Sequence, residues 1–340
     1  MRKLNILVAG STGYIGVQLV KILSEHPNVK IKYLCGNSSV GKSISSFDKF
    51  LKNKKLPTIV KFKKNFLKKV DLVFTALPNG EAQLLSKHLL KKNILIDLAA
   101  DFRINNPKIY KKWYKINHKA VQKISESIYG LTEINGKFLK KYKIIACPGC
   151  YPTSILLPLL PLIKNKVIYE KNIIIDSKSG YSGAGRGVHK KYAKKNLYQS
   201  LSAYGVGKHR HNSEIDQEIS KVCKKKFEVS FTPHLSPMFR GILSTIYVDI
   251  SKKSKPLKIY NFLKKTYKGK NFIKFAKYNT SISTNDVINT NNCLISVCKS
   301  KYNNKLIILS AIDNLIKGGS GQAVQNMNII YSFPEYRGLK

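Results

Sequence analysis

No stretch of this 340-residue chain approaches the roughly 20 consecutive apolar residues that a membrane helix needs. The longest candidate, ILLPLLPLIKNKV at 155–167, is broken by prolines and then by lysines. The opening residues, MRKLNILVAGSTGYIG, do not read as a secretory signal, because their apolar run is short and meets glycines that belong to a fold. An internal repeat and a low-complexity linker are also missing. These absences predict no membrane partner and a cytoplasmic chain whose six cysteines are reduced thiols. Acidic residues are scarce, 18 against 61 Lys and Arg, giving a formal net charge of +43. Such an excess raises the question of nucleic acid. The basic residues, however, run along the whole chain in short groups such as KKYAKK and KVCKKKF, and the 19 tyrosines form no stripe among them. Lys, Asn and Ile are abundant together, as expected of an AT-rich coding sequence. The charge therefore reads as compositional drift on a solvated surface, with steering of anionic ligands as a secondary effect, and no specific nucleic-acid partner is expected. Arginine is rare: Arg2, Arg103, Arg186, Arg210, Arg240 and Arg337 stand against 55 lysines. Where a lysine suffices for a point charge, the surviving arginines mark places that use a planar fork.

What is present is 43% hydrophobic residues and a length that suggests two domains. LNILVA at 4–9, VKIKYLC at 29–35, VDLVFTAL at 70–77 and NILIDLA at 93–99 read as strands, with helices through VQLVKILSEH and GEAQLLSKHLLKK. That order predicts an α/β fold, a Rossmann-type doubly wound parallel sheet. After residue 150 the strands NIIIDSKSG, FEVSFTPHL, GILSTIYVDI and NNCLISVCKS, with helices from NSEIDQEISKVCKKK and KIYNFLKKTYK, predict an α+β domain with a mixed or antiparallel sheet. In the tail, a Gly-rich turn opens a helix.

Gly10, Gly13 and Gly16 form G-x-x-G-x-x-G directly after the first strand and at the start of a helix. The stretch Gly10, Ser11, Thr12, Gly13, Tyr14, Ile15, Gly16 is therefore a candidate pyrophosphate turn, with Ser11 and Thr12 adding hydroxyl donors. An NAD site would place Asp or Glu after the second strand. This chain has CGNSSVGKS, and Ser38, Ser39 and Lys42 suit a 2′-phosphate, so the cofactor read here is NADP(H).

Cys147 and Cys150 lie in IIACPGCYPTS. A C-x-x-C can be a redox pair, half of a zinc site, or one reactive thiol beside an inert one. No second C-x-x-C follows, so no metal is expected, and the motif comes after a complete dinucleotide domain rather than early in a small βαβ fold. Pro152, Thr153 and Ser154 suit a first helical turn, which puts Cys150 at a helix N-terminus, where thiolate and oxyanion are both favoured. The prolines of SILLPLLPLI should kink or end that helix. Cys147 belongs to the preceding strand and is expected to be inert. A nucleophilic thiol beside an NADP domain suggests attack on an activated carbonyl, a thioester, and reduction to an aldehyde. A proton carrier is then required. His209 and His211, in YGVGKHRHNSEIDQE, share one face if the segment is extended. His26, His88, His118 and His189 are expected at the surface, and His234 in TPHLSPMFRG in a structural role.

These stretches, with ALPNG, DLAADFR, YGLTE, SGYSGAGR and NLIKGGSGQAVQNMN, resemble N-acetyl-γ-glutamyl-phosphate reductases of arginine biosynthesis, relatives of aspartate-semialdehyde dehydrogenase. The resemblance spans nearly the whole chain, and PGCYPT and HRHNSEI are its specific parts. It implies NADPH-dependent reduction of N-acetyl-L-glutamyl 5-phosphate to the 5-semialdehyde plus phosphate, in a homo-oligomer (dimer or tetramer). It implies an NADP domain at 1–148 completed by the C-terminal helix, 315–340, and a catalytic and oligomerisation domain at 149–314. Cys150 matches the nucleophile and His209 and His211 the histidine pair, without saying which of the two carries the proton. Arg103, Ser179, Gly180, Tyr204 and Glu214 fall where substrate contacts are expected, and Pro78, Asn314 and Gly318 where the cofactor would be approached. SKSGYSGAGRG at 177–187 would form an anion nest or order a lid. Ala99 and Thr132 depart from the common serine and proline. The rivals are an aspartate-semialdehyde or aminoadipyl-phosphate reductase and, from another class, a basic nucleic-acid-binding protein.

Overall fold

The computed structural model describes residues 3–187, 199–251 and 253–340, so His189 and the run KKYAKK lie outside the described residues. The chain divides into two units, Met1–Pro148 with Gly319–Lys340, and Gly149–Gly318.

The first unit carries seven parallel strands: β1 (Leu4–Ala9), β2 (Val29–Cys35), β3 (Ile59–Val60), β4 (Leu72–Thr75), β5 (Ile94–Asp97), β6 (Ser127–Tyr129) and β7 (Ile144–Ala146). Their order is β3-β2-β1-β4-β5-β7-β6. The order reverses at β1, which pairs with β2 on one side and β4 on the other. In such a sheet, ligands bind at the carboxyl ends of the strands at that reversal. Helices α1 (Tyr14–Glu25), α2 (Glu81–Ser86), α3 (Pro107–Tyr114) and α4 (Thr132–Asn135) follow their strands. The period-2 alternation of β1 feeds two cores. Ile6 and Val8 join Leu19, Leu23 and, from the C-terminal helix Gly321–Ile330, Ala323, Val324 and Met327. Leu7 and Ala9 join Val73, Leu85, Leu95 and Phe102. Thr132, at the start of α4, donates its hydroxyl to Asn326 Oδ1 at 2.7 Å, a bond that a proline there could not make.

Two histidines expected at the surface are buried instead. His26 Nε2 lies 3.0 Å from Asn328 Oδ1, and His118 Nε2 lies 2.8 Å from the Asp101 carbonyl. Their Lys-rich neighbourhoods hid this because each ring is satisfied by a partner distant in sequence, and burial lowers both pKa values.

The second unit has a mixed sheet of β8 (Ile174–Gly180), β9 (Ser202–Ala203), β10 (Ser230–Ser236), β11 (Ile242–Asp249), β12 (Ile273–Phe275), β13 (Cys293–Lys299) and β14 (Lys305–Ile312). The order is β12-β13-β14-β11-β8-β10-β9. Helices α5 (Cys150–Lys164), α6 (His211–Cys223) and α7 (Pro256–Thr266) complete it. Along β11, Ile242, Ser244, Ile246 and Val248 are buried, and Ser244 meets Ser154 of α5 at 2.7 Å. The alternate residues Leu243, Thr245 and Tyr247 point to the other face, where Tyr247 is paired with Ile174 of β8 and both are exposed. Helix α5 continues past Pro158 and Pro161 to Lys164, so the prolines do not end it early. Pro161 deprives the Leu157 carbonyl of its helical donor. The Tyr267 hydroxyl supplies a replacement at 2.5 Å, and the helix interior is buried on every side. No helix among the described residues is long and apolar enough to cross a membrane.

Candidate active site

In the first unit, a cavity of about 580 Å³ opens at the carboxyl ends of β1, β2 and β4. Gly10 has φ +81°, and a Cβ there would lie 2.2 Å from the Ala76 carbonyl oxygen, so only glycine closes this turn. A Cβ on Gly16 would sit 2.1 Å from the Gly10 oxygen, which lets α1 start hard against the turn. Gly10, Thr12, Gly13, Ser38 and Pro78 of the sequence-predicted cofactor residues line the cavity. Ser11 is fully buried and turns its hydroxyl to the Cys35 carbonyl at 3.3 Å, serving the turn itself. Tyr14, Ile15, Gly16 and Ser39 do not line the cavity, and Ser39 is buried. The cavity wall instead includes Lys64, which sequence reasoning did not single out, and His88, which it placed at the surface without a role. Lys64 follows β3, the strand beside β2, and this sheet adjacency was the missing signal.

The DLAADFR stretch shapes the cavity through the turn after Pro78. Asp101 accepts the N–H groups of Gly80 at 2.7 Å and Gln83 at 3.2 Å and the Tyr110 hydroxyl at 2.9 Å. It thereby caps α2 from a distance and fixes that turn. Arg103, read from sequence as a substrate fork, is buried. Its Nε donates to the Cys147 carbonyl at 2.7 Å and its Nη2 to the Leu98 carbonyl at 2.8 Å. One edge of the guanidinium is thus spent on the main chain. Burial pushes the Cys147 thiol up to about 12, so it stays protonated and inert as a nucleophile.

In the second unit, Cys150 is the first residue of α5, where the free N–H groups of the first turn favour a thiolate and an oxyanion. Gly149 caps the helix and donates its N–H to Glu214 Oε2 at 2.9 Å. Glu214 is fully buried, and its Oε1 lies 3.8 Å from His211 Nε2. A Cβ on Gly149 would sit 2.6 Å from that same nitrogen, so the imidazole rests against the chain immediately before Cys150. Gly318 does the same for the thiol, since a Cβ there would lie 2.7 Å from Cys150 Cβ. The His211 N–H donates to His209 Nδ1 at 3.2 Å, which leaves the proton of a neutral His209 on Nε2. Burial, and then the Arg210 charge, hold His209 down to about 4. The two rings stand 4.7 Å apart at 77°.

Of the other expected contacts, the Tyr204 hydroxyl reaches Tyr151 at 3.2 Å beside the histidines. Ser179 is buried and bonds the Gly180 carbonyl at 3.0 Å, and Gly180 is packed on the Arg240 backbone. Asn314 accepts the Gly241 N–H on Oδ1 at 2.7 Å and donates from Nδ2 to Ser182 Oγ at 2.9 Å. Arg186 is exposed. Among the described residues no group of His, Cys, Asp and Glu is arranged to hold a metal.

Residues 5–142 match the family model for the semialdehyde dehydrogenase NAD binding domain, and residues 150–314 that for the semialdehyde dehydrogenase dimerisation domain. Fold and thiol site thus place the chain among the semialdehyde dehydrogenases in the broad sense. Within that class, it is 42% identical over 338 residues to a probable N-acetyl-gamma-glutamyl-phosphate reductase, chloroplastic, of Arabidopsis thaliana, covering 99% of this chain and 84% of that one. It is 43% identical over 340 residues to N-acetyl-gamma-glutamyl-phosphate reductase of Ehrlichia ruminantium (strain Gardel), covering 99% and 97%. The chain belongs to the N-acetyl-gamma-glutamyl-phosphate reductase family. Its fold is shared with aspartate semialdehyde dehydrogenase II of Vibrio cholerae, at a TM-score of 0.72 and 16% identity over 98% of this chain and 99% of that one.

Proposed function

We propose that the protein reduces N-acetyl-L-glutamyl 5-phosphate to N-acetyl-L-glutamate 5-semialdehyde and phosphate with NADPH, as a step of arginine biosynthesis. The observation that carries the mechanism is the joint packing of Cys150, His211 and Glu214 around Gly149. The Cys150 thiolate attacks the acyl carbonyl, the C–O bond to phosphate breaks, and a thioester forms. NADPH, when bound, would supply the hydride that takes the acyl group to the aldehyde level, and the C–S bond then breaks to return the Cys150 thiolate. His211, 3.8 Å from the Glu214 carboxylate, holds the proton that the overall reaction consumes. His209, neutral with its proton on Nε2, is a hydrogen-bond donor to the substrate oxygen rather than the base.

The cofactor reading fits the cavity in the first unit. Its size is that of a small-molecule cleft. The end of β2 offers Asn37 and Ser38 in place of an acid, and Lys64 beside them supplies the cation that a 2′-phosphate needs. Substrate anions fall to the turn that follows β8, residues 181–187, where Arg186 is exposed. The open sheet face bearing Leu243, Tyr247 and Ile174 supports a homo-oligomer built through the second unit, and six free thiols suit a cytoplasmic location.

The test is NADPH oxidation measured in parallel with N-acetylglutamyl, aspartyl and aminoadipyl phosphates. A kcat/KM at least 100-fold higher for the first is expected, and a preference for either other substrate refutes the assignment. In reverse, the semialdehyde and NADP⁺ should turn over only with phosphate or arsenate present. Full turnover without either would make the protein a hydrolytic aldehyde dehydrogenase.

A further inference from the structure

Cys150 and the two imidazoles come from pieces of chain about 60 residues apart, and something must fix their register. The residue next to the nucleophile is placed to do so. Tyr151 is fully buried in the first turn of α5. The rings of His209 and His211 meet its ring edge to face, at 5.5 Å and 89° and at 5.9 Å and 70°. Phe231 of β10 meets the same ring at 5.3 Å and 68°. The far end of the ring is pinned as well. Its hydroxyl donates to the His234 carbonyl of β10 at 3.1 Å and accepts the Tyr204 hydroxyl at 3.2 Å. Tyr204 in turn stacks edge-on against His209 at 5.3 Å. The ring is thus tied at one end to the thiol by a single peptide bond and at the other to the strand and loop that flank the histidines.

We propose that Tyr151 is a positioning residue, whose ring sets the distance and ring planes of His209 and His211 relative to Cys150 and whose hydroxyl, with Tyr204, locks that ring. Edge-to-face contacts of this kind are directional, so the ring constrains the tilt of each imidazole as well as excluding water. A hydroxyl this deeply buried stays protonated, so it remains a donor across the working pH range. Tyr151 takes no part in proton transfer, because both faces of its hydroxyl are already committed to protein groups.

The inference rests on the assignment of Cys150 and His211 above, and the experiment separates the two. Steady-state NADPH oxidation with N-acetylglutamyl phosphate is measured for Tyr151→Phe, Tyr204→Phe, the double variant, Tyr151→Leu and His211→Asn, together with the rate at which iodoacetamide alkylates Cys150. Tyr151→Phe keeps the ring but unlocks it, so kcat should fall about 5- to 10-fold with KM within about 2-fold. Tyr204→Phe removes only one of the two bonds to that hydroxyl and should cost less, and the double variant should be no worse than Tyr151→Phe alone, because both changes act on one lock. Tyr151→Leu should cost at least about 100-fold in kcat while Cys150 alkylation stays within about 2-fold, and phenylalanine should restore most of that loss. If Tyr151→Phe leaves kcat unchanged, or if the Phe variants multiply, the positioning role is refuted even where His211→Asn is inactive. If His211→Asn keeps wild-type kcat, the proton-carrier reading fails first. Should Tyr151→Leu fail to fold, the two Phe variants alone decide for or against the positioning role.

Discussion

Replacing Gly149 with alanine asks whether His211 and not some neighbouring group sets the rate. Gly149 has φ −65° and ψ 157°, a conformation open to any residue, so the backbone does not resist the change. In the unfolded chain the substitution even favours folding, by about 0.4–1 kcal/mol. The cost is local. The new methyl carbon would stand 2.6 Å from His211 Nε2, 2.8 Å from Cε1 and 3.0 Å from Cδ2, against an ordinary contact distance of 3.4 Å. The imidazole must therefore retreat by about 0.8 Å at Nε2, in a setting where the rings of Tyr151 and His209 already stand 5.9 and 4.7 Å from its own. A displacement of roughly 1 Å in a catalytic group costs on the order of 100-fold in rate. The expected result is a kcat lower by about two orders of magnitude, a KM within a few-fold, and a melting temperature within a few degrees of wild type. The assay is NADPH oxidation with a parallel thermal melt, repeated in a His211→Asn background, where the smaller side chain removes the clash and the alanine should cost little more. Wild-type kcat in Gly149→Ala would falsify the placement of His211 at the reacting atoms. An equal cost in both backgrounds would move the effect to another contact.

Three further outcomes follow from the same geometry. Cys150→Ala should lose activity by several orders of magnitude, whereas Cys147→Ala, which removes a buried thiol held up at about 12, should keep most of it, and similar kinetics for the two would return a paired role for the cysteines. Lys64→Glu should lower kcat/KM for NADPH at least 10-fold while sparing NADH, and an equal loss with both cofactors would make Lys64 a support of the fold rather than a reader of the 2′-phosphate. His209 titrates near 6.5 when unfolded and near 4 when folded. The stability contributed by its neutral form is therefore complete above pH 6.5 and is lost as pH falls towards 4, by at most about 3 kcal/mol. Unfolding free energies of wild type and His209→Gln should converge or cross on acidification from pH 7 to 4.5, and parallel curves would show that the burial of this ring carries no linkage.

The parts of the molecule that are readable from sequence are those specified over a few consecutive residues. The turn from Gly10 to Gly16 follows a strand and opens a helix, so its steric demands fall within seven positions, and Gly10 and Gly16 meet them with contacts of 2.2 and 2.1 Å. Cys150 is legible for the same reason: a proline two residues into a helix marks its start. The helix beyond it escapes sequence reasoning because the rule that proline ends a helix assumes that the freed carbonyl meets nothing better. Here Tyr267, 110 positions from Leu157, supplies the donor. No local pattern encodes that pairing, nor those that bury His26 and His118.

The site residues divide along the same line, and the division bears on mechanism. Residue types mark chemistry, but what a side chain is free to do depends on which of its polar atoms the fold has already used. Arg103 looks like an anion fork because arginine is rare in this chain, yet Nε and Nη2 hold the carbonyls of Cys147 and Leu98. Glu214 looks like a substrate contact, yet one of its oxygens holds the Gly149 N–H and the other faces His211. In both cases a charged group fastens the backbone within three residues of Cys150. A thiol that must meet an acyl carbon at a fixed angle gains more from such fastening than from one more ligand to the substrate, because misplacement of the attacking atom is penalised exponentially while a missing peripheral contact mainly raises KM. The same reasoning explains why the two histidines cannot be told apart in HRH. They differ by two positions in sequence and not in type, and only the N–H bond to His209 Nδ1 and the carboxylate beside His211 set their surroundings apart.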